Sequence, residues 1–175
     1  MVIDALARDR RLVVVKLRPG YEAGYAGKPA VHGVAGAGEI VNCERLPTGR
    51  FNILLKGLWR VRLEREVPAD ILYRLVVAER LEDVPPVSDV SGSLRRVRAA
   101  CRRLLRALGR PEDLLDDALA EAQPAGVVAD RVAAAVLPDA ALRQELLETL
   151  DVAARIERLA GALDDLVNEL KGGRE

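Results

Sequence analysis

The sequence is poor in the residues that most often perform chemistry. Its 175 residues include one histidine and two cysteines, and aromatic residues make up 3%. A zinc site needs clustered Cys and His ligands, and nucleophilic catalysis needs a hydroxyl or thiol beside an oriented base. The serines, Ser88, Ser91 and Ser93, all fall in one segment, while His32 stands in a glycine-rich loop without a neighbouring carboxylate. The composition therefore predicts a protein that is not an enzyme and has no metal or cofactor.

Sequence motifs for catalysis, nucleotide binding and export are also missing. No GxSxG elbow occurs, and "GYAGKPA" departs from a phosphate-binding loop at Glu22 and at Pro29. No apolar run approaches the about 20 residues that cross a bilayer, and "MVIDALARDRR" lacks the apolar stretch of a signal peptide. Cys43 and Cys101 have no CxxC spacing, so we interpret them as small apolar side chains. We therefore expect a cytoplasmic protein.

The net charge is zero, but the charges are unevenly distributed along the chain. Residues 1–110 carry 21 Lys and Arg against 12 Asp and Glu, whereas residues 111–175 carry 6 against 15. In "SLRRVRAACRRLLRALGR", Arg95, Arg98, Arg102 and Arg106 recur at helical spacing. Such a basic face can bind phosphates, or it can pair with the acidic rear of the chain. The scarcity of aromatic residues for base stacking makes a nucleic-acid partner the less favoured alternative.

The first half of the chain alternates apolar and polar residues, which predicts β-strands. Gly57 interrupts one such stretch, and a glycine inside a strand usually marks a bulge or bend. Pro47 and Gly49 predict the turn before it. Short strands around a bend, without intervening helices, favour a small, partly closed β-barrel. The predicted strands lie near residues 11–17, 38–46, 50–56, 58–64 and 73–80.

The second half shows helical periodicity and predicts an α-helical bundle. The change comes in "LEDVPPVSDVSGS", so we expect a β subdomain at 1–84, a linker at 85–93 and a helical subdomain at 94–175. Gly109 should end the first helix, and Asp139 should cap a short one. The predicted fold class is therefore α+β. The expected helices lie near residues 94–108, 111–122, 124–137 and 151–171, and the short helix after Asp139 carries Leu142, Leu146 and Leu147.

Two ordered sequence patterns occur along the chain. The first is a glycine-containing strand and a PxGR turn that lead to a glycine-bent strand followed by R-x-R. The second is a short helix that runs through L-E-x-x-D-V into a long amphipathic helix. The residues in these patterns are Gly36 to Glu39, Pro47, Gly49, Arg50, Gly57, Arg60, Arg62, Leu147, Glu148, Asp151, Val152, Arg155 and Leu159. In this order, the patterns resemble the N-terminal substrate-binding domain of Lon proteases and its free-standing bacterial relatives.

The resemblance implies a PUA-like barrel followed by a helical bundle, and a module that recognises exposed or unfolded protein segments. It also implies a protease or chaperone as partner, whereas no ATPase or protease sequence is present. Members of this family usually begin with a proline-rich first strand, which "MVIDALARDRR" does not match. Two hypotheses follow: the start of the sequence is placed too far downstream, or an open strand edge pairs with a partner or with another copy of the chain.

Four residues are the best candidates for contacts with a polypeptide, although each is also consistent with an ordinary surface position. Tyr21 and Tyr25 are expected to be exposed aromatic side chains of the glycine-rich loop. Arg60 and Arg62 are expected to project outward from the bent strand. The alternative function is an RNA- or nucleic-acid-binding PUA-like module that uses the basic front half, and membrane binding is not expected.

Overall fold

The computed structural model describes residues 1–25 and 27–172, and the chain divides into two compact units, Met1–Glu82 and Asp83–Glu175. The predicted α+β class is confirmed. The first unit contains α1 (Val2–Leu6), β1 (Arg11–Val14), a 3-10 turn (Tyr21–Gly24), β2 (Val34–Arg45), β3 (Phe51–Val67) and β4 (Leu75–Leu81). The second contains α2 (Ser91–Ala107), a 3-10 turn (Glu112–Leu115), α3 (Asp116–Leu119), α4 (Ala125–Val136), α5 (Ala140–Glu148) and α6 (Val152–Gly172).

The first unit is built on an open antiparallel sheet with the strand order β1-β2-β3-β4. Among the described residues, the edge strands β1 and β4 do not pair with each other, so the prediction of a partly closed barrel is wrong. Four strands make too narrow a sheet for its two edges to meet at the usual spacing of about 4.8 Å. The strands predicted at 50–56 and 58–64 form the single long strand β3.

A bulge in β3 lies beside Gly57, as the sequence predicted. Gly38 on β2 is opposite Gly57, and the pairing then skips Leu58. A Cβ atom added at Gly57 would meet no atom within 4 Å. A Cβ atom added at Gly38 would lie 3.0 Å from the backbone oxygen of Lys56. The glycine required by close packing is therefore Gly38, the cross-strand neighbour of the one that the sequence singled out.

We expect alanine at position 38 to destabilise the sheet unit by about 1–3 kcal/mol, because only a shift of the strand backbone can relieve the contact. Gly57→Ala is the matched control, and its effect should stay within about 0.5 kcal/mol. Urea denaturation followed by the fluorescence of Trp59, the one tryptophan of the sequence, measures both effects. Equal losses in the two variants would contradict this interpretation of the bulge.

Trp59 lies half-buried beside the small core of the sheet unit. That core contains Ala35, Ala37 and Val61. The guanidinium carbons of Arg11 and Arg80 lie 4.9 and 5.3 Å from the centre of the Trp59 ring. A cation at this distance is attracted by the ring electrons. Trp59 thus connects side chains from both edge strands of the sheet.

The second unit has a larger core, formed chiefly by α2, α4 and α6. Gly109, with a φ of 64°, follows the C-terminal end of α2, and the Asp139 carboxylate accepts the backbone N–H of Ala141 at 2.7 Å. Both predicted helix ends are therefore confirmed. The helix expected at 111–122 is instead a 3-10 turn and the short helix α3, which ends at Leu119 because the next residue, Ala120, has an extended backbone (φ −56°, ψ 135°). The fully buried core side chains include Val97, Cys101, Val128, Val132, Ile156, Leu159 and Leu163.

An ion pair between a buried arginine and a partly exposed aspartate fixes the start of this unit. The side chain of Arg155 is only 1% exposed, and its Nη2 and Nη1 atoms lie 2.5 and 3.0 Å from the two carboxylate oxygens of Asp83. Nη1 also donates to the backbone oxygen of Thr149 at 3.0 Å, and Nε lies 3.4 Å from Asp130. A Cβ atom at Gly126 would be 2.7 Å from both Arg155 Nη2 and Asp83 Oδ2. Glycine at this position of α4 leaves room for the pair.

Candidate functional site

An apolar cleft of about 610 Å³ lies in the sheet unit and is bordered by both edge strands. Residues of α1, β3 and the segment after β1 complete its walls. Its volume is within the range of about 300–1,000 Å³ that is usual for binding pockets. The apolar lining consists of Met1, Ala5, Leu12, Val13, Val15, Val31, Leu63, Leu75 and Val76.

The main chain of β1 has unpaired positions along its open edge. The N–H of Ile40 on β2 donates to the backbone oxygen of Arg10 at 2.8 Å. In an antiparallel pair, successive residues point their N–H and C=O groups alternately toward and away from the partner strand. The groups of Arg11 and Val13 therefore point away from β2, and the N–H of Arg11 indeed bonds to Asp9 Oδ1 at 3.2 Å. Val13 presents a donor and an acceptor at the edge.

A hydrogen bond connects α1 to the segment before β4. The hydroxyl of Tyr73 donates to Asp4 Oδ2 at 3.0 Å. This bond lowers the pKa of Asp4 and raises the pKa of Tyr73. Because the pKa of Asp4 is lowered, the contact weakens when the pH falls far enough for Asp4 to take up a proton. Because the pKa of Tyr73 is raised, the contact weakens when the pH rises far enough for Tyr73 to ionise. The contact is therefore complete around neutral pH.

Most charged groups around the cleft already have a partner. Arg74 forms an ion pair with Glu66, which lowers the pKa of Glu66, and donates to the backbone oxygen of Pro29 at 2.8 Å. Lys28 Nζ lies 3.6 Å from the same Glu66 carboxylate. Arg11 Nη1 lies 3.8 Å from Asp9. These contacts fix the polar rim and connect the loop before β2 to the β3–β4 hairpin.

Two arginines of the cleft have no such partner. Within the described part of the chain, the guanidinium of Arg65 makes no hydrogen bond or ion pair. The guanidinium of Arg8 also makes no direct contact of this kind among the described residues, but its charge helps to lower the pKa of Asp4. Among the described residues, Glu64 is the one carboxylate of the cleft that makes no hydrogen bond or ion pair. The charges left for a ligand are thus two positive and one negative.

The four residues predicted from the sequence lie outside this cleft. Tyr21 and Tyr25 come together in the 3-10 turn, with ring centres 6.0 Å apart, and Tyr25 is 68% exposed. Arg62 forms an ion pair with Glu79 at 2.9 Å, and Arg60 is half-buried on β3. The structure therefore brings the two tyrosines together but separates them from the cleft, and their role stays a prediction.

Sequence reasoning missed the residues that line the cleft. The signal was present in "LVVVKL", where Val13, Val14 and Val15 follow one another without alternation. Such a run is typical of a strand that is covered on both faces. Here the strand lies at a sheet edge, and Val14 remains 59% exposed. The walls contributed by Leu63 and Val76 depend on how the sheet curves, which no local pattern reveals.

Two hydroxyls and one thiol of the helical unit are paired or buried. The hydroxyls of Ser91 and Ser93 donate to the carboxylates of Asp89 and Glu157. Burial raises the pKa of the Cys101 thiol to about 11, which keeps this thiol protonated and unreactive. Across residues 1–25 and 27–172, no group of three or more His, Cys, Asp or Glu side chains is placed to hold a metal ion. In the same ranges, no helix has the length and apolar character that spanning a bilayer requires.

Comparison with known proteins identifies the family. The model of the ATP-dependent protease La (LON) substrate-binding domain matches residues 1–165, so the chain belongs to this family. Lon protease 1 of Syntrophobacter fumaroxidans is 29% identical over 160 residues, which cover 91% of this chain and 19% of that protein. The Lon protease of Dictyoglomus thermophilum is 25% identical over 130 residues, which cover 74% of this chain and 16% of that protein. The family resemblance predicted from the sequence is confirmed.

A solved structure supports the fold. The N-terminal domain of the Mycobacterium avium complex Lon protease matches with a TM-score of 0.73, over 94% of this chain and 83% of that one. At 15% identity, this likeness shows the fold alone. The chain spans less than a fifth of the length of the curated Lon proteases named above.

Proposed function

We propose that this chain is a non-catalytic recognition module that binds exposed or unfolded polypeptide segments. The observation that carries the proposal is an apolar cleft that adjoins an open strand edge. Apolar pockets provide affinity for side chains, and an open edge offers main-chain hydrogen bonds that are independent of sequence. This combination suits the recognition role of a substrate-binding domain. A protease or chaperone would then act on the bound segment.

The exposed apolar side chains near the cleft support the same function. Leu72 is fully exposed, and Ile71 is 39% exposed, in the loop between β3 and β4. Tyr21 and Tyr25 belong to the neighbouring loop, which Arg74 connects to this hairpin through the oxygen of Pro29. We propose the two tyrosines as further contacts for an unfolded chain. Arg60 and Arg62 are proposed as weaker, polar contacts.

Nucleic-acid binding has less support, because many arginines are neutralised within the chain. Arg62 pairs with Glu79 in the sheet unit. On α2, acidic residues accept hydrogen bonds from Arg96 and Arg103. On the basic face predicted from the sequence, Arg106 pairs with Glu112 and Arg98 donates to the backbone oxygen of Leu119. A paired guanidinium must lose its partner before it can bind a phosphate, which lowers the gain from phosphate binding. The charge pattern therefore favours internal pairing over a nucleic-acid surface.

Fluorescence anisotropy with a permanently unfolded protein tests the proposal. Fluorescein-labelled carboxymethylated α-lactalbumin should bind the full chain, whereas native α-lactalbumin labelled in the same way should not. Between 50 and 300 mM salt, the affinity for the unfolded protein should change less than about tenfold. Binding through phosphate contacts would instead lose about 10³–10⁵ in affinity over a similar range. A labelled 20-nucleotide RNA is the control ligand.

Two results would contradict the proposed function. The first is equal binding of native and unfolded lactalbumin. The second is tighter binding of the RNA, with a steep loss of affinity at the higher salt concentration. Incubation with fluorescein-casein, with and without ATP, tests the non-catalytic part of the proposal, and release of labelled fragments would refute it.

A further inference from the structure

We propose that the cleft binds one extended segment of the target polypeptide by strand addition to the open edge of β1. In this complex, alternate aliphatic side chains of the segment fill the cleft, and a carboxylate of the segment lies beside Arg65. The inference rests on the proposed function and specifies which kind of segment is bound, and where.

The main-chain part of the inference follows from the register of β1 and β2. Because Arg10 accepts a hydrogen bond from Ile40, Val13 directs its N–H and C=O away from β2. An extended chain beside β1 would pair with these two groups and with the carbonyl of Arg11. Exposed edges with unpaired groups of this kind are templates for an added strand.

The apolar lining selects the side chains of that segment. Leu12, Val13 and Val15 lie on the β1 side of the cleft, and Leu75 and Val76 lie on the β4 side. In a strand, alternate side chains point to the same face, so every second residue of the segment would enter this apolar space. β1 has four residues, which matches a bound stretch of similar length. Valine, isoleucine and leucine suit these positions.

The charges around the cleft determine which charge the bound segment should carry next to its aliphatic residues. Asp4, Asp9 and Glu66 already bind Tyr73, Arg11 and Arg74. Arg65 and Arg8 remain available and outnumber Glu64, so the cleft has a surplus of positive charge for its ligand. A segment that carries a glutamate, an aspartate or a terminal carboxylate next to its aliphatic residues complements this surplus.

A labelled peptide of alternating valine and threonine, with a glutamate at one end, tests the inference. Two N-methylated versions carry methyl groups on the odd or on the even backbone nitrogens. In strand addition, only every second backbone N–H of the peptide donates a hydrogen bond to β1. Methylation of that set should therefore weaken binding at least tenfold, whereas the peptide methylated on the other set should bind normally. Replacement of the glutamate by lysine should weaken binding by about threefold, as expected for an exposed charge.

Variants of the protein locate the site. Val13→Pro removes the outward N–H, and an edge strand tolerates proline where the N–H faces solvent. It should abolish peptide binding while thermal denaturation shows a folded chain.

Arg65→Ala should weaken binding of the glutamate peptide about threefold, whereas Arg50→Ala, in the β2–β3 turn outside the cleft, should not. Bound peptide should change Trp59 fluorescence, because Arg11 lines the cleft and contacts that ring.

The outcomes separate this inference from the proposed function. If carboxymethylated lactalbumin binds and the peptide neither binds nor competes with it, the inference is refuted and the proposed function stands. Equal loss of binding for both N-methylated peptides also refutes strand addition. A dimer seen by sedimentation, abolished by Val13→Pro and insensitive to the peptide, would assign the edge to a second copy instead.

Discussion

Replacing Asp83 with alanine should lower the free energy of unfolding of the helical unit by about 3 kcal/mol, because it leaves a buried guanidinium without its main counter-charge. The Arg155 side chain is 1% exposed and would lose both of its contacts to the Asp83 carboxylate. Asp130 and the Thr149 carbonyl would remain nearby, and Asp83 itself is 34% exposed, so the loss belongs at the lower end of the usual range. Urea denaturation followed by far-ultraviolet circular dichroism measures it.

A double variant makes this test specific to the buried charge. In the Asp83→Ala background, Arg155→Met removes the uncompensated guanidinium, and it should recover part of the lost stability. Asp113→Ala, which removes an exposed carboxylate, should change stability by less than about 0.5 kcal/mol. A double variant that is less stable than Asp83→Ala alone would show that Arg155 contributes through its packing and not through the pair.

Truncating Leu163 to alanine should cost about 3 kcal/mol, because it opens a cavity in the centre of the helical core. Leu163 is fully buried on α6 among side chains from the neighbouring helices. Leu114 offers the matched control, since it is 62% exposed in the 3-10 turn after α2, and its truncation should cost less than about 0.5 kcal/mol. Guanidinium denaturation of both variants should show a shifted midpoint for Leu163→Ala with an unchanged slope.

Similar losses for the two leucines would mean that α6 does not organise the core in the way its burial indicates. A changed slope would mean that the variant alters the compactness of the folded or unfolded ensemble. Each result would be visible in the same experiment.

Local patterns were sufficient for most of the helical unit, where the helix faces are set by neighbours in sequence. The spacing of Ile156, Leu159 and Leu163 predicted both the length of α6 and its buried face. The cap at Asp139 was also predictable, since it depends on bonds within two residues. The prediction of a helix at 111–122 was wrong, because the extended backbone of Ala120 ends α3 at Leu119.

The sheet unit was harder to predict, because its decisive contacts join residues far apart in sequence. The sequence singled out Gly57, yet the close approach is at Gly38, and only the pairing of β2 with β3 reveals it. The barrel prediction failed for a similar reason, since edge closure depends on strand number and curvature. The cleft combines α1, both edge strands and β3, so its lining could not be found from any single segment.

The ion pair of the buried Arg155 with Asp83 also has a mechanical consequence. Asp83 is the first residue of the helical unit, and the adjacent Val84 pairs with Asp151 just before α6. A pulling force that enters the unit at this end acts first on the ion pair and on two backbone hydrogen bonds of Val84, whose N–H donates to Leu150 and whose carbonyl accepts from Val152. Tension is therefore resisted at the point of entry, before any turn of α6 is unwound.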